Sequence, residues 1–122
     1  MNTKKVLIMS EDKDIMGIVR ISALTLTKLN CQISVMEEHS SEGVIKNSES
    51  PDLSLIIIDC DKNHSESASL ISEVRKQEGS AKKKILLIHS DKIDKNPFFI
   101  AGCDSIMKKD EFKRVVNNIL VM

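Results

Sequence analysis

The sequence is poor in aromatic residues. Its 122 residues include no tryptophan or tyrosine, and the only phenylalanines are Phe98, Phe99 and Phe112. This scarcity excludes the platforms of several aromatic rings on which single-stranded nucleic acids stack. The formal net charge is zero and no basic tail or stripe stands out, so nucleic acid is not expected as a partner.

Cysteines and long apolar runs are also scarce. Cys31, Cys60 and Cys103 are odd in number, widely spaced and without a C-x-x-C motif, which argues against a disulfide scaffold and a structural zinc site. No apolar run is long enough to span a membrane, and the run after Lys5 is too short for a signal-peptide core. We therefore expect a cytoplasmic chain with no membrane partner, forming a single domain over 1–122.

One stretch organises the rest of the chain. Residues 55–58 form an unbroken apolar run rich in β-branched side chains, which is typical of a strand buried on both faces of a parallel sheet. The run ends abruptly in Asp59. A carboxylate at the carboxyl end of such a strand lies where open α/β sheets bind ligands, although Asp59 could also simply begin a loop or cap the next helix.

Strand and helix patterns alternate along the whole chain. Apolar runs predict five strands, at 4–9, 31–36, 55–58, 85–88 and 103–107, the second of them at an edge because its alternate residues are polar. The helical patterns predict a helix capped by Asp12 or Asp14, helices over 42–47 and 66–77, a short helix in 92–102 with Asn96 as cap, and a last helix capped by Asp110. This order predicts an α/β fold with a doubly wound, five-stranded parallel sheet.

Charged and polar residues follow four of the predicted strands. They are Ser10, Glu11 and Asp12 after the first, Asp59 and Asp61 after the third, His89 and Ser90 after the fourth, and Lys108 and Lys109 after the fifth. These strand ends converge in a doubly wound sheet, and clustered carboxylates repel one another unless a cation binds among them. Carboxylate oxygens suit Mg²⁺, and a nearby lysine would pair with a phosphate. The pattern therefore indicates phosphoryl transfer onto Asp59.

At this point the chain resembles the receiver domain of two-component response regulators, which has a flavodoxin-like fold. Residues 6–15 (VLIMSEDKDI) are similar to the family's first strand and acid pair, and Asp59 falls at its phosphoacceptor position. Residues 101–109 (AGCDSIMKK) are similar to the family's Ala-Gly-Ala-Asp segment and following lysine, which gives that role to Lys109. The resemblance covers essentially the whole chain.

The resemblance implies a set of site residues. Asp59 would be the phosphoacceptor, Lys109 would pair with the phosphoryl group, and His89 stands where the family has serine or threonine. Magnesium would bind Glu11, Asp59 and the backbone carbonyl of Asp61. Asp12 would be either a further metal-associated acid or a helix cap.

The chain departs from the family at several positions. Ser10 replaces the first acid of the pair, the loop after Asp59 lacks the usual proline and glycine, and Asp110 replaces the proline after the lysine. Ile106 stands at the aromatic switch position, so the usual hydroxyl-plus-aromatic relay cannot operate in that form.

Two functions follow from the resemblance. The first is a stand-alone receiver, not itself an enzyme, that takes phosphate from a sensor histidine kinase or phosphotransfer protein and signals to a downstream protein. The second is a phosphate-independent pseudo-receiver that acts as an interaction module, which Ser10 and His89 favour.

Two further readings are weaker. A nucleotide binder is disfavoured because no G-x-G-x-x-G loop follows the first strand. Cys60, His64 and His89 could offer soft metal ligands, although Cys60 and Cys103 are more typical of small core residues.

Overall fold

The computed structural model describes residues 3–121 and has the predicted fold class. Met1, Asn2 and Met122, which the single-domain prediction over 1–122 includes, lie outside the described residues. The strands are all parallel in the order β2-β1-β3-β4-β5, which confirms the edge position of β2. They span Thr3–Met9 (β1), Gln32–Glu38 (β2), Leu53–Asp59 (β3), Lys84–His89 (β4) and Ser105–Lys108 (β5). The α-helices span Lys13–Lys28 (α1), Ser41–Asn47 (α2), His64–Lys76 (α3), Asn96–Ala101 (α4) and Lys109–Leu120 (α5).

The core lies on both faces of the sheet, as the unbroken apolar run of β3 predicted. Leu55 and Ile57 face one layer of apolar side chains, which α1 and α5 complete. Ile56 and Ile58 face the opposite layer, which includes residues of α2, α3 and α4. Successive residues of a strand point to opposite faces, so a central strand with two covered faces needs apolar residues throughout.

Some element ends differ from the prediction. The proposed cap at Asp110 is wrong: α5 begins at Lys109, directly after β5, and Asp110 lies in its first turn. A carboxylate there still favours the helix, because it faces the positive end of the helix dipole. Asn96 is likewise the first residue of α4 and not its cap, and its backbone N–H is bound by the carboxylate of Asp94 at 3.1 Å.

Arg75 holds the turn that leads into β5. Its guanidinium donates to the carbonyl of Gly102 at 2.8 Å, to the carbonyl of Ala81 at 3.1 Å and to the carboxylate of Asp104 at 2.7 Å. Gly102 ends α4 with a left-handed φ of 119°, and an added Cβ would lie 2.6 Å from Cγ of Arg75. The close approach of arginine and backbone therefore requires glycine here.

None of the helices in the range 3–121 has the length and apolar character needed to cross a bilayer. The longest, α1, has 16 residues and carries charged side chains on its outer face.

The Arg75 contacts lead to a stability prediction. Replacing Arg75 with methionine keeps an unbranched side chain but leaves several carbonyls and the Asp104 carboxylate without their charged donor. We expect the free energy of unfolding to fall by roughly 2–3 kcal/mol, in line with hydrogen bonds to charged groups. Urea unfolding followed by circular dichroism measures this difference.

Arg20→Met is the matched control, because Arg20 is exposed and pairs with Glu37 at the surface. We expect a much smaller loss, since exposed ion pairs contribute little. Equal losses in the two variants would contradict the role given to Arg75.

Candidate functional site

The candidate site lies at the carboxyl end of the sheet, where the sequence pattern placed it. Ser10 follows β1, Asp59 is the last residue of β3, and Lys109 is the first residue of α5. The side chains of Asp59 and Lys109 are only 6% and 8% exposed, and Lys109 Nζ lies 2.8 Å from Asp59 Oδ2. A pair so far removed from water has to be well hydrogen-bonded to offset the cost of burying the charges.

Three donors hold the Asp59 carboxylate. Ser10 Oγ donates to Oδ2 at 2.6 Å, and the ammonium of Lys109 binds the same oxygen. The backbone N–H of Asp61 donates to Oδ1 at 3.0 Å. Contacts from three donors to its two oxygens keep the Asp59 carboxylate oriented.

Lys109 is bound by three carboxylates at once. Besides Asp59, its Nζ lies 3.1 Å from Asp12 Oδ2 and 2.7 Å from Asp61 Oδ2. Burial lowers the pKa of Lys109, but hydrogen bonds to Asp59, Asp61 and Asp12 outweigh burial and raise that pKa above its usual value. One positive charge faces three negative ones, so two negative charges remain uncompensated within the cluster.

Asp12 caps α1, which is one of the two roles predicted for it, and it also binds Lys109. Its Oδ1 accepts the backbone N–H groups of Asp14 and Ile15 and caps α1, while its Oδ2 binds Lys109. Burial raises the pKa of Asp12, but the hydrogen bond from Lys109 and those from the helix backbone lower it overall.

Asp61 enters the site through its carboxylate, whereas the sequence analysis assigned only its backbone carbonyl. Ser90 donates to Asp61 twice, from its backbone N–H at 2.9 Å and from its hydroxyl at 2.6 Å. Burial raises the pKa of Asp61, but the hydrogen bonds from Lys109 and Ser90 prevail and lower it to about 2. The hydroxyl that joins the cluster from the end of β4 is thus that of Ser90.

Glu11 and His89 bond to residues outside the three-carboxylate cluster. The Glu11 side chain is 56% exposed and pairs with Lys62 at 2.8 Å. His89 is buried, and its Nδ1 lies 2.6 Å from the carbonyl oxygen of Asp91. Since a carbonyl only accepts, Nδ1 carries the proton of that hydrogen bond.

Ser10 has a role that was not predicted beyond the loss of an acid. Its hydroxyl is buried and bridges the Asp59 carboxylate to the backbone N–H of Asp12. Its position at the end of a buried strand, beside Asp59, was the signal available. The bond itself depends on the register of β1 against β3, in which Met9 pairs with Ile58.

A cavity of about 350 Å³ opens beside the cluster. Carboxylates outnumber lysines in its wall, where five acids and two lysines are found together with hydroxyl groups. Its lining is formed by Met9, Ser10, Glu11, Asp12, His39, Ser40, Ser41, Asp59, Asp61, Lys62, Asn63, Glu66, Ser67 and Lys109. The cluster is therefore open to small ions and to a phosphoryl group from this side.

The depressed pKa of Asp61 predicts a pH dependence of stability. An unfolded aspartate has a pKa of about 3.9, whereas Asp61 in the folded chain titrates at about 2. The contribution of this carboxylate is therefore fully present above about pH 4 and is lost as the pH falls toward 2. Urea unfolding of wild type and Asp61→Asn at several pH values between 2 and 6 measures the effect, and the variant should lose less stability over the acid range.

Asp52→Asn is the control, because Asp52 lies in an exposed turn away from the cluster. Its acid dependence should match that of the wild type. An Asp61→Asn profile that runs parallel to the wild type between pH 4 and pH 2 would contradict the assignment.

Comparisons with known proteins show what this architecture is. No protein-family model matches the sequence, and no curated protein matches it significantly. A response regulator from Hahella chejuensis is 19% identical, with a TM-score of 0.77, over 96% of this chain and 92% of its own. The receiver domain of a sensor histidine kinase from Pseudomonas aeruginosa, with magnesium coordinated in its active-site cleft, is 16% identical, with a TM-score of 0.77, over 97% of this chain and 94% of its own.

A third similar structure is the phosphorylated cyanobacterial phytochrome response regulator RcpA. It is 10% identical, with a TM-score of 0.77, over 96% of this chain and 91% of its own. Likeness at such low identity concerns the fold alone. The chain therefore has the receiver fold of response regulators, and the predicted flavodoxin-like, five-stranded parallel architecture is confirmed.

Proposed function

We propose that the chain is a phosphoacceptor in two-component signalling, which receives a phosphoryl group on Asp59 from a sensor histidine kinase or a phosphotransfer protein. One observation carries the proposal. Three carboxylates and one lysine ammonium meet at the carboxyl end of the sheet, beside an open cavity, with two negative charges left over. RcpA, a neighbour in fold, is a phosphorylated response regulator, which supports phosphorylation of a chain with this fold.

The donor set fits a divalent magnesium ion. Oxygen ligands from carboxylates are what Mg²⁺ prefers, and two uncompensated charges match its charge. Asp12, Asp59 and Asp61 would hold the ion, and Glu11 would join them only after parting from Lys62. When bound, the ion neutralises negative charge on the transferring phosphoryl group. The magnesium ion in the Pseudomonas aeruginosa receiver domain supports this assignment.

The reaction needs one nucleophilic oxygen and one counter-charge from this chain. A carboxylate oxygen of Asp59 forms a bond to phosphorus, the phosphorus–nitrogen bond to the donor imidazole breaks, and the electron pair returns to that nitrogen. Lys109 exchanges its contact with the Asp59 carboxylate for one with a phosphoryl oxygen, because Asp59 becomes an acyl phosphate. The N–H of Asp61 keeps Asp59 aligned.

Lys109 also provides a route for the signal. It is the first residue of α5 and directly follows β5, so a change in its partners acts on the junction of these elements. The neighbouring α4 exposes Phe99 and Ile100, which are 47% and 86% exposed. Phosphorylation would bias this surface between two states that a downstream protein distinguishes. The proposal describes a cytoplasmic signalling module without enzymatic activity of its own, nucleic-acid binding or membrane attachment.

A second candidate is a pseudo-receiver that signals without phosphate. The closed hydrogen-bond network around Asp59 Oδ2 favours it, because Ser10 and Lys109 both already occupy this oxygen. His89 supports it too, since its Nδ1 is engaged by a carbonyl rather than directed at the cluster. Such a chain would bind its partner in one fixed conformation.

Phosphorylation distinguishes the two candidates directly. The full chain is incubated with Mg²⁺ and acetyl phosphate, and its intact mass is measured. We expect one phosphate adduct that requires Mg²⁺, because the carboxylate cluster repels a phosphoryl group until a cation neutralises it. Asp59→Asn should give no adduct.

Asp52→Asn is the control and should be modified like the wild type, since Asp52 lies outside the site. An adduct that persists in Asp59→Asn would place the modification elsewhere. Failure of the wild type to form any adduct, even with a cognate kinase, would favour the pseudo-receiver.

The buried serine offers a second test of the site. Ser10→Asp places a fourth carboxylate next to Asp59, and the added repulsion should be relieved by a divalent cation. We expect Mg²⁺ affinity to rise by about tenfold, which corresponds to roughly 1.4 kcal/mol. Isothermal titration calorimetry measures the change.

Ser10→Asn is the matched variant, because it has the size of aspartate without its charge. It should bind Mg²⁺ no more tightly than the wild type. Equal affinities for Ser10→Asp and Ser10→Asn would show that charge at this position does not control cation binding.

A further inference from the structure

A second group of side chains that can ligate a metal lies between the end of β3 and the first residue of α3. Cys60, Asp61 and His64 each present one ligand atom, and these three atoms all lie within 4.8 Å of one another. His89, which the sequence analysis grouped with Cys60 and His64, is bound to the carbonyl of Asp91 instead. The trio therefore differs from the predicted soft-metal set by replacing His89 with Asp61.

The chemistry of the trio differs from that of the acid cluster. One thiol sulfur, one imidazole nitrogen and one carboxylate oxygen form a donor set that suits Zn²⁺, which is commonly bound by cysteine, histidine and acidic residues. Magnesium prefers oxygen ligands and is a poor match for a thiolate. We propose that Cys60, Asp61 and His64 form a binding site for a thiophilic divalent cation such as Zn²⁺, with water as the fourth ligand.

The backbone supports this placement. Cys60 directly follows β3, and its N–H donates to the carbonyl of Ile88 in the neighbouring strand at 3.1 Å, so the sulfur is held by the sheet. His64 begins α3, which Asn63 caps through its side chain. The imidazole meets the ring of Phe98 edge-on at a centroid distance of 6.3 Å. Two of the ligands are thus carried by ordered elements.

The ligands differ in exposure, which leaves one side of the trio open to an ion. Cys60 is fully buried, whereas Asp61 and His64 are exposed. A cation would first meet the carboxylate and the imidazole and then reach the sulfur beneath them. Such an open arrangement leaves room for water in the remaining coordination position.

Charge and proton balance are satisfied at the site. A cysteine ligates a metal as its thiolate, so the Cys60 thiol has to give up its proton on binding. Binding forms a sulfur–metal bond and releases that proton to solvent. The bound thiolate and the Asp61 carboxylate then match the two positive charges of the ion.

Asp61 links this site to the acid cluster. Its Oδ2 lies 2.7 Å from Lys109 Nζ and accepts the Ser90 hydroxyl, so a cation on Asp61 competes with both donors. Any effect of Zn²⁺ on phosphorylation would rest on the proposed function of Asp59. The binding of Zn²⁺ to the trio does not depend on that function. Cation binding is therefore tested separately from phosphate transfer.

The experiment is a titration of the full chain with Co²⁺, which reports thiolate ligation by a sulfur-to-metal charge-transfer absorption. We expect one equivalent to bind with this absorption, and Zn²⁺ to displace Co²⁺. Cys60→Ser should lose the charge-transfer band. His64→Gln should bind Zn²⁺ about tenfold or more weakly, because one of three protein ligands is lost, and as His64 is exposed the variant is expected to fold.

Cys31→Ser and His39→Gln are the matched controls, since these residues lie outside the trio. Both should bind like the wild type. Absence of a charge-transfer band in the wild type, or unchanged Zn²⁺ affinity in His64→Gln, would overturn the proposal. The charge-transfer band and the phosphate adduct are separate measurements on the same chain, so failure of this site is distinguishable from failure of the phosphoacceptor.

Discussion

The ion-pair network around Lys109 is the interaction on which the candidate site depends. Its ammonium lies within 3.1 Å of oxygens from Asp12, which follows β1, and from Asp59 and Asp61 at the end of β3. Without a cation among them, three neighbouring carboxylates would repel one another and raise their pKa values. The network thus joins the ends of β1, β3 and β5 into one site while it leaves two negative charges unbalanced.

The parallel sheet supplies the geometry for this network. All five described strands run in the same direction, so their carboxyl ends meet at one edge. Apolar residues occupy both faces of β3 from Leu55 to Ile58, and the polarity changes at Asp59. The backbone of Asp59 is thus held by a buried strand, while its side chain lines the cavity. This arrangement suits an oriented nucleophile.

Asp61 is the point at which different ligands would compete. It binds Lys109 and Ser90, and it lies within reach of Cys60 and His64. Hard cations would favour the carboxylates around Lys109, whereas thiophilic cations would favour the sulfur and imidazole. Because the two donor sets share the exposed carboxylate of Asp61, cation binding at one set would depend on whether a cation occupies the other set.

The sequence by itself determined the alternation of strands and helices, the central position of β3, the edge position of β2 and the convergence of Asp12, Asp59, Asp61 and Lys109. These follow from local periodicity and from the rule that parallel strand ends meet at one edge. Tertiary structure alone decided the contacts: Ser10 with Asp59, Ser90 with Asp61, Glu11 with Lys62, and His89 with the carbonyl of Asp91. Such pairings depend on strand register and side-chain direction over many residues of separation, and residue spacing along a chain does not by itself fix which side chains meet.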